Sequence, residues 1–136
     1  MFEQDYLMRI FIRFAEAIRR SMQKADGEQD PSSAAEMLES AVGEATELDG
    51  DVLLSLAPES IASILQVSGT DPRVIEYVAR SLLLESSYLK EANNPEKALL
   101  REQQAHALAS SYDIPLDDTA ITAEELDAFF DETQKD

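Results

Sequence analysis

Apolar residues along this chain recur every three to four positions, and over no strand-length window do they alternate with polar ones. That spacing predicts helices throughout. The first covers 2–24, with Phe11, Phe14, Ile18 and Met22 placed to serve a core; the polar run Asp26-Gly27-Glu28-Gln29-Asp30 ends it. Asp30-Pro31 reads as an N-cap followed by a first-turn proline, whose missing N–H costs nothing there. The helix it opens carries Ala34, Ala35, Met37, Leu38, Ala41, Val42, Ala45 and Leu48, and Asp49-Gly50 is expected to close it. Asp51 is expected to cap a short turn over 52–56, and Pro58 to begin a helix bearing Ile61, Ile64, Leu65 and Val67. A second Asp-Pro pair, Asp71-Pro72, starts a helix to about Ala92, and Asn94-Pro95 starts another to about Tyr112. Thr122 and Glu125 stand as N-cap and N3 of a capping box, which predicts a last short helix. The expected fold is all-α with five to seven helices.

Residues 73–112 form the most coherent stretch. Folding back at Asn93-Asn94 sets Val78 against Ala109, Leu82 against Ala105 and Leu89 against Ala98. Each pair joins a large side chain to a methyl group, which allows an interhelical distance of about 8 Å. An antiparallel hairpin packed against the long N-terminal helix is the arrangement this predicts. The organisation is then one domain over 1–136: an apolar helix at 1–24, a helical middle at 31–68, the hairpin at 72–112, and an acidic segment with a short helix at 113–136.

The run Asn93-Asn94-Pro95-Glu96-Lys97-Ala98, with Ala105 on the next small position, resembles the turn and second helix of a tetratricopeptide-type hairpin. Leu82, Glu85-Ser86, Leu89 and Glu102 stand where that family carries Trp, Leu-Gly, Tyr and Phe, and the unit is not repeated. A concave peptide-binding array needs about three or more repeats, so the resemblance implies one hairpin of similar build. The opening Glu3-Gln4-Asp5-Tyr6-Leu7-Met8-Arg9 resembles a family of small uncharacterised bacterial all-helical proteins. So do Leu56-Ala57-Pro58-Glu59-Ser60, Glu76-Tyr77 with Arg80, and Tyr112 with Ile114-Pro115-Leu116. That resemblance implies a bacterial, cytoplasmic protein of unknown function and brings no activity with it.

Composition narrows the chemistry. The chain has 136 residues, 44% of them hydrophobic, enough for a core of ordinary size. Zero cysteines exclude disulfides, thiolate metal sites and a cysteine nucleophile. A net charge of -17 opposes a phosphate backbone, so nucleic acid is not an expected partner. Four scattered glycines leave no phosphate-binding Gly-rich loop and no Gly-x-Ser-x-Gly elbow. Glu3 and Asp5 stand where a secretory signal carries basic residues, and Arg9 and Arg13 interrupt the apolar run well short of a membrane span. The cytoplasm is the expected location, and no cofactor is expected.

Three constellations invite chemistry. His106 follows Glu102 by one helical turn, but a zinc or iron site takes three or four ligands, and His106 is the chain's sole histidine. A structural or surface role is expected, and no metal site. Glu85 is charged on an otherwise apolar stripe and, in the hairpin pairing, faces Glu102 with Arg101 and His106 nearby. Adjacent carboxylates raise one pKa and can make a general acid, whereas an ion pair with Arg101 or His106 would make Glu85 structural. A carboxylate-based or metal-assisted hydrolase built on Glu85, Glu102 and His106 is therefore the alternative to a non-enzymatic protein. The acidic runs beginning at Asp26 and Glu47 look like calcium loops, but position 12 falls on Met37 and Pro58 rather than on a bidentate Glu, so they read as turns and caps. Asp117-Asp118 and Glu124-Glu125 read as solvated faces.

The N-terminal helix is the functional lead. Arg9, Arg13, Glu16 and Arg20 make one polar stripe, and most of the remaining circumference is apolar, so the helix needs cover on more than one side. Residues 1–24 hold five basic and three acidic residues, a local +2 in a chain whose remainder carries -19. Three readings stand: a central core helix, a dimer interface, or a membrane-surface anchor. Tyr6, Met8, Arg9, Ile12, Arg13 and Ala15 are the candidate interaction surface. The function expected is protein–protein interaction or scaffolding through an unnamed protein partner, with a homodimer expected and membrane association a third alternative.

Overall fold

Four of the six α-helices among the described residues open on a proline, and three of those four are capped by the polar side chain just before it. The computed structural model describes residues 2–116, and among them there is no strand. The helices are α1 (Phe2–Met22), α2 (Pro31–Thr46), α3 (Gly50–Leu54), α4 (Pro58–Ser68), α5 (Pro72–Glu91) and α6 (Pro95–Ser111). Asp30 accepts from the Ser33 N–H at 3.1 Å, Asp71 from Arg73 at 2.8 Å and Asn94 from Lys97 at 3.3 Å. Each side-chain oxygen satisfies an N–H that has no partner within its own helix, while proline supplies the pre-set φ. The capping box at Thr122 lies outside the described residues.

Two boundaries differ from the sequence expectation. The first helix does not stop at 24 but widens into a π turn, Gln23–Gly27, with the Glu28 N–H donating to the Gln23 carbonyl at 3.2 Å. The second is the α2–α3 junction. Helix α2 ends at Thr46, and Glu47 takes the left-handed conformation, φ 60°, while the Leu48 N–H returns to the Gly43 carbonyl at 3.2 Å. This is a Schellman closure. The N-cap of α3 is Asp49, not Asp51: its Oδ1 accepts from Asp51 and Val52 N–H at 3.0 and 3.3 Å. Gly50 therefore opens a helix rather than ending one. The reason is steric, since a Cβ on Gly50 would stand 2.7 Å from the Glu39 carbonyl, and one on Gly43 would stand 2.9 Å from the Gly50 nitrogen. The two glycines let α3 fold directly onto the backbone of α2.

The hairpin forms as its small-against-large pattern predicts. Val78, Leu82, Leu89, Ala98 and Ala105 lie in one buried cluster, and Ala109 is buried with them. Ser86 Oγ donates to the Ala98 carbonyl at 2.8 Å, which pins the two helices together near the turn. The hairpin's main neighbour, however, is α2, which packs against both α1 and α5, while α4 packs on α6. Helix α1 reaches α5 through long side chains: Phe11 and Tyr77 at 5.7 Å between ring centroids, and Ser21 Oγ and Tyr88 Oη at 3.3 Å. Phe14 and Ile18 enter the core as expected, and Phe11 and Met22 are half-buried against it. Ala15 also enters it, fully buried, and so is corrected from candidate surface to core.

Candidate functional site

Two clusters of opposite charges occupy the faces of α2, one buried and one open. The buried one centres on Arg101, 3% exposed, in α6. Its Nε donates to Glu85 Oε2 at 2.7 Å, Nη2 to Glu39 Oε2 at 3.1 Å, and Nη1 to the Leu54 carbonyl at 2.8 Å and Gln104 Oε1 at 3.1 Å. Gln104 Nε2 donates to the Leu54 and Leu56 carbonyls at 2.9 and 2.8 Å. These carbonyls, at and just past the end of α3, would otherwise be orphaned, so two α6 side chains complete that helix terminus. Lys97 Nζ closes the cluster on Glu39 Oε2 at 2.9 Å.

Glu85 is fully buried, and among the described residues its Oε1 receives no donor. Burial pushes its carboxyl well above the usual range, and the hydrogen-bonded Glu39 carboxyl adds to this against the pull of Arg101. Burial also acts to raise Glu39, but hydrogen bonds with Glu85, Lys97 and Arg101 outweigh it and hold that carboxyl low. The two neighbouring carboxyls are thus shifted in opposite directions, Glu85 upward and Glu39 downward.

The expected ion pair of Glu85 with Arg101 forms, whereas the expected carboxylate pair with Glu102 does not: the carboxyl beside Glu85 is Glu39. Glu102 does not face Glu85; a residue is rotated by about 100° from its neighbour, and Arg101 takes the inward position. Glu102 turns outward to Lys90 at 3.7 Å, and His106 is exposed. Glu85, Glu102 and His106 are not brought together, and Glu85 lines neither of the two hollows that flank α1. Among the described residues no group of three or more His, Asp or Glu side chains is placed to hold a metal ion. Glu39 and Gln104 were missed from the sequence. Gln104 was detectable, because Arg101, Gln104, Ala105 and Leu108 share one helical stripe, and two of them are polar where the core lies.

The open cluster is a groove of about 260 Å³ between α1 and α2. Ile10, Phe14, Ala41 and Ala45 make its apolar lining, Arg9 and Arg13 stand on the α1 wall, and Glu44 and Glu47 on the α2 wall. All four charged residues are exposed, and among the described residues no ion pair crosses the groove. Tyr6, 46% exposed, also lines it and borders a second hollow of about 310 Å³ that runs on to Thr70 and Val74. Of the candidate surface residues, Tyr6, Arg9 and Arg13 therefore share this groove. Met8 and Ile12 are half-buried and lie about 200° around α1 from Tyr6 and Ile10 respectively, so the six residues do not make one patch. The α2 wall was not foreseen.

No helix among the described residues is long and apolar enough to cross a membrane. No family model matches this chain, and no curated protein or solved structure matches it.

Proposed function

We propose that this chain is a non-enzymatic protein–protein interaction module whose binding surface is the α1–α2 groove. One observation carries the reading: an open apolar trough with exposed arginines on one wall and exposed glutamates on the other. Two antiparallel helices with an apolar crease between them accept a third helix, apolar on the side that meets the crease and charged at its edges. The placement of the glutamates supports this use. Glu44 and Glu47 stand at the C-terminal end of α2, where the helix dipole disfavours negative charge and where no basic residue offsets it. Glu47 also occupies a left-handed position that glycine fills with less strain. Neither choice helps α2 itself.

Tyr6→Asp and Arg13→Glu in the full chain test the proposal, because both positions are exposed. Helicity and melting temperature should stay at wild-type values. Association, read as solution mass and as proteins retained by the immobilised chain, should fall in both variants. Unchanged association in both would overturn the reading.

A further inference from the structure

We infer that the occupant of the α1–α2 groove is the same groove of a second copy, set so that α1 of each protomer lies over α2 of the other. This rests on the groove being a binding surface, and it names the partner. A two-fold contact is self-complementary, with residue i meeting j and j meeting i. Walls of one sign would repel their own copy. Here the walls are opposite, and the two-fold arrangement brings Arg9 and Arg13 of one protomer to Glu44 and Glu47 of the other, twice over.

Shape agrees with charge. Tyr6, a large and exposed side chain, lines the groove from α1, while the α2 side contributes the small Ala41 and Ala45. Large residues from one copy then seat over small ones of the other, as in the buried hairpin. Met37, 37% exposed, continues the same stripe one turn before Ala41 and lengthens the apolar contact. Two antiparallel pairs meeting this way make a four-helix layer, a packing that such pairs adopt readily. Net repulsion also favours this face. Each chain carries -17, yet residues 1–24 are locally +2, so copies approach most easily along α1.

Light scattering on the full chain across a wide range of concentration, with two charge-reversed variants, decides the matter. The wild type should be a dimer. R9E/R13E has two acidic walls and E44R/E47R two basic ones, so each alone should dissociate at least about tenfold more readily. Mixed in equal amounts they should form a heterodimer, because acidic walls then meet basic walls. That rescue separates specific pairing from a change in net charge, and circular dichroism of each variant checks that it is folded. Tyr6→Ala, which changes no charge, should also weaken the dimer. A monomeric wild type at the highest concentration, or a mixture that stays monomeric, would overturn the inference. If the wild type is monomeric but both charge variants lose a protein that it retains, the groove binds another partner and only this inference fails. If neither self-association nor retention responds, the proposed function fails with it.

Discussion

The two faces of α2 use the same residue types to opposite ends. On the inner face, Glu39 meets Arg101 and Lys97, and Arg101 meets Glu85, all within 3.1 Å. On the outer face, Arg9 and Arg13 stand opposite Glu44 and Glu47, and no ion pair among the described residues joins the two walls. Burial makes the difference. A charge removed from water must be answered within the fold, whereas an exposed one is solvated and stays available to a partner. Charged residues inside α2 therefore hold the helices in register, and those outside leave the fold almost indifferent to their identity.

The largest contrast should come from breaking each cluster at an arginine. Arg101→Leu leaves Glu85 without its donor and takes one of two donors from Glu39 and from the Leu54 carbonyl, and should cost about 3–5 kcal/mol, the range for halving a buried pair. Arg13→Glu should change stability by no more than about 0.5 kcal/mol. Urea denaturation of both variants checks this, and similar losses would mean that the groove is part of the core. Next in size, Ala105→Leu should overpack the hairpin, where that methyl is fully buried, at a cost of about 1–3 kcal/mol. Ala107→Leu, at a half-buried position, should cost less, and equal melting temperatures would disprove the hairpin register.

The buried cluster should also give stability a pH dependence that the groove does not. Glu85 is raised, so the folded state holds its proton longer than the unfolded chain does. Its contribution is complete below the ordinary carboxylate range and is lost as pH climbs through the raised value. Glu39 is lowered, so its contribution is present above that range and is lost as pH falls through the lowered value. Glu85→Gln keeps a neutral donor toward Glu39 and an acceptor for Arg101. It should abolish the decline on the alkaline side and leave the acid limb in place, as denaturation midpoints measured across pH would show. A decline that persists in the variant would mean that it does not come from Glu85.

The smallest effect sharpens the comparison most. Glu47→Gly relieves the left-handed strain and removes one charge from the groove wall. Stability should hold or rise by up to about 1 kcal/mol, while association weakens. A variant both more stable and less associating would show that Glu47 serves the partner and not the fold.

Much of this was legible in the chain itself. The helices, three of their caps and the hairpin pairing follow from local rules: proline after Asp or Asn fixes the starts of α2, α5 and α6, and the spacing of Val78, Leu82 and Leu89 against Ala98, Ala105 and Ala109 fixes the facing sides. Such signals act within one or two helical turns, so the sequence by itself determined the all-α fold, the inward face of α1 at Phe14 and Ile18, and the unusual status of Glu85. It could not supply Glu39 as a second carboxylate beside Glu85, because 46 positions separate them and no periodicity links separate helices. Nor could it pair Arg9 and Arg13 with Glu44 and Glu47, or show Ala15 to be core while Tyr6 is surface. Those outcomes depend on α2 lying between α1 and α5, and on two glycines that let α3 close against it. Which charges are buried and which stay open was decided only when the helices packed, since burial belongs to the assembled layers and not to any one of them.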